Sequence, residues 1–226
     1  SGVTDGYQPI ERRLRLTRRC LEVFAEFQNP IGIVTKSDLV TRDIDILQTM
    51  SDPDVASVVL SVTSLDAELA NKLEPRAATP KKRLKAIEAL RNAGIRTGIM
   101  IGPVIPGLND HEISNILKAT SAAGAQSAGY ILLRLPHGVK SLFNDWLEVH
   151  YPNRKERVLN RVKDTRDGEL YNSTFGTRMS GDGEYADQIA QMFSMAKNRH
   201  GFTEKLPPLA VDRFRVPRKQ LSLFEG

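Results

Sequence analysis

Polar residues that could bind a ligand lie where the predicted strands end. They are Thr4 and Asp5, Thr35 and Lys36, Ser61 and Thr63, Gly102 and Pro103, and Arg134. The carboxyl ends of parallel strands share one face of an α/β fold, so we expect these residues to converge on one cavity. Lys36 suits a ligand carboxylate or phosphate, because a lysine that ends a buried strand needs an anionic partner. Ser61 and Thr63 can hydrogen-bond hydroxyls or amines, and Gly102, which has no Cβ, lets a flat ligand lie against the backbone.

Other kinds of site find little support in the sequence. Its four histidines are scattered and have no second ligand at metal spacing: His111, His137, His150 and His200. The glycine-rich phosphate-binding motifs, the G-x-S-x-G elbow and a plausible Cys/His pair are all absent. The single cysteine, Cys20, falls in the apolar register of a predicted helix and is expected to be buried there. One cysteine excludes an internal disulfide framework and fits a reducing, cytoplasmic compartment.

A strand followed by a helix recurs along the first 136 residues. The clearest unit is residues 98–110, GIMIGPVIPGLND, an apolar strand that runs into a loop with Asn109 or Asp110 as the cap of the next helix. Ser37 or Asp38 is expected to cap a helix in the same way. The other predicted strands cover residues 31–37, 55–62 and 127–135, and the helices cover 9–28, 39–50, 66–72, 80–93 and 110–123. This alternation predicts an α/β fold with a parallel sheet, a partial barrel that binds a polar ligand at its strand ends.

The alternation ends after Pro136, and this change sets the predicted domain organisation. Helices are predicted at residues 139–149, 153–165 and 184–200. From residue 201 onward the chain has three prolines and little periodicity, which predicts an extended or disordered tail. We therefore divide the chain into a barrel over residues 1–136, a helical extension over 137–200 and a tail over 201–226.

The charge distribution and hydropathy limit the partners. The formal net charge is +5, and residues 151–226 hold 14 basic against 10 acidic residues, so four of the five charges lie there. A solvated surface explains so small an excess, and contact with DNA or another polyanion is the alternative. No apolar run approaches the roughly 20 residues that span a bilayer, so no membrane partner is expected.

Four segments of this sequence resemble one known family. SGVTDGYQPIE, IVTKSDLVTRDIDIL, SVTSLDAELANKLEPRAATPKKRLKAI and MIGPVIPGLNDHEI are similar, in order and spacing, to radical S-adenosylmethionine (radical SAM) proteins related to spore photoproduct lyase. The resemblance covers roughly residues 1–200. It implies a partial (β/α)6 TIM-like barrel that holds a [4Fe–4S] cluster and S-adenosylmethionine, whose reductive cleavage gives a 5′-deoxyadenosyl radical for hydrogen abstraction.

The same resemblance assigns roles to residues at the strand ends. Thr4 would bind the amino group of the methionine moiety and Lys36 its carboxylate. Ser61 would also contact the cofactor, and the backbone of Gly102 would lie against the adenosyl group. From its place at a strand end, Arg134 is expected to contact the substrate; no catalytic residue and no metal ligand are assigned.

Two departures from the family pattern limit what is carried over. The C-x3-C-x2-C motif that holds the cluster is absent, so its cysteines are expected upstream of Ser1 and the chain is interpreted as a fragment. Spore photoproduct lyase has a hydrogen-donating cysteine at the position of Gly2. Without it, the reaction class is carried over but the thymine-dimer substrate is not.

The tail carries a separate motif, QLSLF at residues 220–224. It resembles the pentapeptide by which bacterial replication and repair proteins bind the sliding clamp. Leu221, Leu223 and Phe224 would fill an apolar pocket while Gln220 hydrogen-bonds. The sequence thus favours a radical SAM enzyme, with DNA repair as one role. Two alternatives stay open: a non-catalytic DNA-associated protein that binds the clamp, and a phosphate-binding barrel enzyme without iron.

Overall fold

A computed structural model describes residues 4–52, 54–202 and 208–217. Its centre is a four-stranded parallel sheet in the order β1-β2-β3-β4. The strands are β1 Ile31–Thr35, β2 Ala56–Ser61, β3 Arg96–Val104 and β4 Ser127–Leu132. This sheet, whose strands alternate with helices, confirms the predicted partial α/β barrel. The predicted strand end at residues 1–5 falls largely outside the described residues.

The described part of the chain contains nine α-helices. They are α1 Glu11–Leu14, α2 Leu16–Glu26, α3 Ile44–Thr49, α4 Ala67–Leu73, α5 Pro80–Asn92, α6 Ile113–Ala122, α7 Val139–His150, α8 Lys155–Asp164 and α9 Glu184–Arg199. A 3-10 turn, Asp38–Asp43, precedes α3, and the Ser37 hydroxyl caps this turn by accepting the Leu39 N–H at 3.2 Å. The predicted cap at Ser37 is therefore confirmed.

The main apolar core lies between the sheet and the helices that follow each strand. Leu60 of β2 and Ile99 of β3 are buried there against Ile87 of α5 and Ile116 of α6. Burial of such side chains is the dominant favourable contribution to folding. The opposite face of the sheet is more open, and the Val34 side chain of β1 is 61 % exposed on it. The fold therefore leaves the concave side of the sheet accessible near the strand ends.

The first predicted helix, residues 9–28, is interrupted, and the expected burial of Cys20 is wrong. Arg15 has a left-handed backbone with φ of 52° between α1 and α2. The buried Glu11 carboxylate accepts the N–H groups of Leu16 and Thr17 at 2.9 and 3.0 Å and so caps the start of α2. This break ends the continuous helical register on which the apolar face was predicted. Cys20 lies within the unbroken helix α2 and is exposed, whereas its neighbour Leu21 is buried.

The helices after β4 form a second apolar cluster. Leu147 of α7 and Val158 of α8 pack there with Ile105 from the loop after β3. Residues 208–217 have neither helix nor strand, as expected of the tail, and they lie against the domain. Phe214 stacks on Phe27 with ring centroids 6.3 Å apart, and the Ala210 N–H donates to the Asp54 carbonyl. The proposed division at residues 136 and 200 stays a prediction.

Candidate functional site

A cavity of about 600 Å³ opens at the carboxyl ends of the strands. All five residues predicted to contact cofactor or substrate line it: Thr4, Lys36, Ser61, Gly102 and Arg134. These five residues come from different segments of the chain. The parallel topology of the sheet brings them together although they are up to 130 positions apart. The cavity is within the range of roughly 300–1,000 Å³ that is typical of small-molecule sites.

Lys36 has a buried acidic partner that the sequence analysis missed. Its ammonium forms an ion pair with Glu74 and donates to the Gly102 carbonyl at 3.1 Å. Glu74 follows α4, and its side chain is only 12 % exposed. The other carboxylate oxygen of Glu74 pairs with Arg83 Nη2 at 2.5 Å. Glu74 therefore links the cavity lysine to a buried arginine of α5.

The pKa of Glu74 reflects two opposing effects. Burial alone would raise it, but the charges and hydrogen bonds of Lys36 and Arg83 outweigh burial and hold the pKa below its usual range. Arg83 is 2 % exposed and also donates to the carbonyls of Ala78 and Ser61 at 2.8 and 2.7 Å. Glu74 thus stays ionised near neutral pH and keeps the Lys36 ammonium beside the cavity.

The Gly102 carbonyl is an acceptor shared by several side chains of the cavity. Besides Lys36, the hydroxyls of Ser61 and Thr63 lie 3.1 and 3.0 Å from it, and Thr63 also lies 2.8 Å from Glu74 Oε1. A Cβ added at Gly102 would lie 3.4 Å from Met100 Cγ and would occupy the cavity wall. Glycine therefore keeps this wall flat.

Asp5 connects the start of the described chain to the end of β1. Its carboxylate accepts the Thr35 hydroxyl at 2.8 Å, the Lys36 N–H at 2.8 Å and the Tyr7 N–H at 2.8 Å. The neighbouring Thr4 hydroxyl accepts a hydrogen bond from Gln8. These bonds fix the position of Thr4 beside Lys36.

In the loop after β3, the predicted side-chain cap at Asn109 is wrong. The Asn109 amide instead accepts the Ile105 N–H at 2.6 Å and donates to the Thr63 and Pro103 carbonyls at 2.8 and 3.1 Å. Asp110 accepts the Gly107 N–H at 2.8 Å and the His111 N–H at 3.0 Å. The two side chains thus provide partners for buried backbone groups of the loop. They hold the wall of the cavity in shape.

Arg134 forms the far side of the cavity. Its Nη1 lies 3.8 Å from Met179 Sδ, while its Nε is buried without a hydrogen-bond partner in the described part of the chain. The buried Arg166 lies nearby and donates to the carbonyls of Leu133 and Thr177 at 3.0 and 3.1 Å. Burial lowers the pKa of Arg166; Asp182 opposes this shift and Arg134 adds to it. This side of the cavity therefore carries concentrated positive charge.

A cluster of thiolates cannot be built from this chain. Cys20 is its one cysteine, and within residues 4–52, 54–202 and 208–217 no three His, Cys, Asp or Glu residues are grouped as metal ligands. A [4Fe–4S] cluster of the radical SAM type needs three cysteine thiolates. The residues present fit a polar organic cofactor and do not fit the cluster.

Comparison with known families identifies the class of protein. The model of the radical SAM superfamily matches residues 1–120, which is more than half of the chain. The chain belongs to this superfamily, as the four sequence segments had indicated.

Individual relatives and one solved structure agree with this assignment. Uncharacterized proteins of Mycobacterium tuberculosis and Methanocaldococcus jannaschii are 31% and 32% identical over 156 and 162 residues, which are 68% and 72% of this chain and 46% and 59% of theirs. A radical SAM Nα-GlyT isomerase of Pseudomonas phage M6 is 30% identical over 125 residues, 55% of this chain and 25% of that protein. A cysteine-to-serine mutant of spore photoproduct lyase shares the fold, with a TM-score of 0.54 and 16% identity over 84% of this chain and 54% of the other. The chain thus spans about half the length of the mycobacterial and archaeal relatives and a quarter of the phage protein.

Several predictions about partners and location lie beyond these observations. Gly2 and the QLSLF motif, with Gln220, Leu221, Leu223 and Phe224, fall outside the described residues, so clamp binding stays a prediction. None of the helices in the described ranges has the length and apolar character needed to cross a bilayer. The cytoplasmic location stays a prediction.

Proposed function

We propose that this chain binds S-adenosylmethionine in the cavity at its strand ends. The observation that carries the proposal is the convergence of Thr4, Lys36, Ser61 and Gly102 on one space of about 600 Å³. A charged donor, two hydroxyls and a bare backbone wall match the carboxylate, the amine and the flat adenine of this cofactor.

Each residue has a distinct task in the proposed complex. Lys36, held by Glu74, binds the methionyl carboxylate, and Thr4 accepts from the methionyl amine. Ser61 contacts the polar part of the cofactor, and Gly102 allows the adenosyl group to approach the backbone. Arg134, on the opposite side, contacts the substrate.

The proposed reaction is hydrogen abstraction of the radical SAM type. When bound beside a reduced [4Fe–4S] cluster, S-adenosylmethionine supplies a 5′-deoxyadenosyl radical. Because this chain has one cysteine, the three cluster thiolates are proposed to come from residues upstream of Ser1. The likeness to spore photoproduct lyase and the relatedness to the phage isomerase support a radical enzyme, and DNA repair is the role we propose for it.

Cofactor binding by the 226-residue chain tests the first part of the proposal. Isothermal titration calorimetry with S-adenosylmethionine should detect binding, and Lys36→Ala should weaken it about tenfold to a hundredfold, since a hydrogen bond to a charged group contributes about 1.5–3 kcal/mol. Lys72→Ala is a matched control, because it removes a Lys–Glu ion pair that lies outside the cavity. Equal affinities of Lys36→Ala and the wild type would remove Lys36 from the site.

Turnover tests the second part. Protein extended upstream of Ser1 to include a C-x3-C-x2-C motif, reconstituted without oxygen and reduced, should cleave S-adenosylmethionine to 5′-deoxyadenosine. An intact cluster with no 5′-deoxyadenosine formed would refute the radical reaction, while cofactor binding would stand on its own measurement.

A further inference from the structure

A second cleft, of about 320 Å³, adjoins the cofactor cavity. Lys36 and Asp5 line both spaces, so the two share a wall. The cleft is lined by residues from the ranges 5–12, 36–39 and 76–82; Arg12 comes from the first range, and Arg76 and Lys82 come from the third. None of the uses proposed for the cavity involves these three side chains.

The three cations have no partners within the described part of the chain. Arg12, Arg76 and Lys82 are exposed, and none of their side chains forms an ion pair or hydrogen bond there. By contrast, several other cations of this side of the molecule are paired, such as Arg18 with Asp45 at 2.6 Å and Arg42 with Glu11 at 3.0 Å. The cleft therefore gathers positive charge that the described residues do not neutralise.

The two carboxylates of the cleft do not supply that neutralisation. Asp5 is occupied by the hydroxyl of Thr35 and by two backbone N–H groups. Asp38, in the first turn after β1, makes no ion pair with any of the three cations. An incoming anion would thus meet cations whose charge is not already committed.

The position of Lys82 strengthens this point. The first turn of α5 reads Pro-Lys-Lys-Arg and contains no acidic residue. Cations at the start of a helix are opposed by the helix dipole, at a cost of about 0.3–1 kcal/mol each. Arg83 is compensated by Glu74, but Lys81 and Lys82 have no such partner in the described part of the chain. The uncompensated lysines at the start of α5 are therefore available to bind an external anion.

We infer that this cleft binds the phosphodiester backbone of a nucleic acid strand. The cleft adjoins the cavity on its Lys36 side, so a strand whose phosphates contact Arg12, Arg76 and Lys82 would lie beside the cavity. Cations that contact phosphates position a strand without reading its sequence. An unstacked base is also what an enzyme needs to reach a reacting atom of DNA. The inference rests on the proposed function for the purpose of the cavity, but binding at the cleft can be measured without cofactor.

Fluorescence anisotropy of a labelled single-stranded 20-mer tests the inference on the 226-residue chain without S-adenosylmethionine. The triple variant Arg12→Gln, Arg76→Gln, Lys82→Gln should bind at least tenfold more weakly in 50 mM NaCl. Its plot of log affinity against log salt should be shallower by about 2, since each lost phosphate contact removes about 0.7 from the slope on a single strand. This triple variant should keep its Tm within about 2 °C of wild type, because exposed, unpaired side chains contribute little to stability.

The matched control removes three charges elsewhere. Lys118→Gln, Lys163→Gln, Lys197→Gln changes cations that do not line the cleft, and its affinity should stay within about twofold of wild type. Equal losses in both variants would show that only net charge matters and would overturn the inference, as would no binding by the wild type. Calorimetric binding of inorganic phosphate with no affinity for the 20-mer would also overturn it, because the cleft would then be a small-anion site. Failure of S-adenosylmethionine to bind would affect the proposed function alone.

Discussion

Glu74→Gln should destabilise the protein far more than an ordinary loss of one charge. The substitution keeps the shape of the side chain and its hydrogen bond with Thr63, but it leaves Arg83 without a counter-charge at 2 % exposure. Removal of one partner of a buried ion pair costs about 3–5 kcal/mol, and we expect a loss of this size in the free energy of unfolding. Lys36→Met should cost about 1 kcal/mol or less, because Lys36 is 36 % exposed and Glu74 keeps Arg83 as its partner.

The lowered pKa of Glu74 also predicts how the difference in free energy of unfolding between the wild type and Glu74→Gln depends on pH. A carboxyl whose folded pKa lies below its unfolded value stabilises the fold fully above the unfolded pKa, near 4.5 here. That contribution is lost as the pH falls through the folded pKa, since the native side chain then becomes neutral. The wild type and Glu74→Gln should therefore differ by a constant amount above pH 4.5 and converge below it.

Urea denaturation followed by circular dichroism measures both effects. Glu68→Gln is the control, because Glu68 forms an exposed ion pair with Lys72 six residues before Glu74 and should cost no more than about 0.5 kcal/mol. If the free energy of unfolding of Glu74→Gln at pH 7 lay within 1 kcal/mol of the wild-type value, the proposed stabilising role of the Glu74–Arg83 ion pair would be refuted. A difference that does not shrink in acid would refute it too.

Two further predictions concern the backbone and the surface. Gly181 has φ of +77°, and an added Cβ would lie 2.8 Å from the Thr165 carbonyl oxygen, whereas at Gly176, with φ of +99°, nothing lies within 4 Å. Gly181→Ala should thus lower the free energy of unfolding by about 1–3 kcal/mol more than Gly176→Ala, and equal losses in urea would disprove the close contact. Hydrogen bonds from Arg18 lower the pKa of Asp45 to about 2, opposed in part by burial. Arg18→Gln should return this pKa toward 3.8 in an NMR titration, and a value that stays near 2 would assign the shift to the helix backbone instead.

The sequence was sufficient to place the sheet and the cavity. Apolar runs bounded by glycine and proline mark β2 and β3 because both faces of these strands are covered or lie beside the core. The rule that parallel strands share a carboxyl edge then brought Lys36, Ser61 and Gly102 together without coordinates. The cofactor roles of these residues stay predictions that the binding experiment tests.

The partner of Lys36 was missed although the sequence holds a signal for it. Arg83 lies three positions after Pro80 and four before Ile87, so it falls on the buried stripe of α5. A buried arginine needs a carboxylate, and Glu74 lies in the preceding loop at nine residues' distance. Periodicity can show that such a charge needs a partner, but the path of the loop decides which acid reaches it.

The predictions of one continuous helix over residues 9–28 and of a side-chain cap at Asn109 were wrong for a different reason. Both predictions assumed that a helix continues or begins by local rules alone. Glu11 and Asn109 instead satisfy backbone groups several residues away: Glu11 caps the start of α2 after the break at Arg15, and Asn109 binds the backbone of the loop after β3. Competition between a local cap and a tertiary hydrogen bond cannot be read from spacing.

The geometry around Lys36 has a consequence for how a ligand could be added. An ammonium group carries three hydrogens, and in this structure Glu74 and the Gly102 carbonyl accept from it. One N–H is left for a third acceptor on the exposed side of the nitrogen. A carboxylate that enters the cavity could accept this third hydrogen bond without displacing either protein partner. The lysine side chain then need not rotate, and Glu74 keeps its counter-ion when the ligand binds.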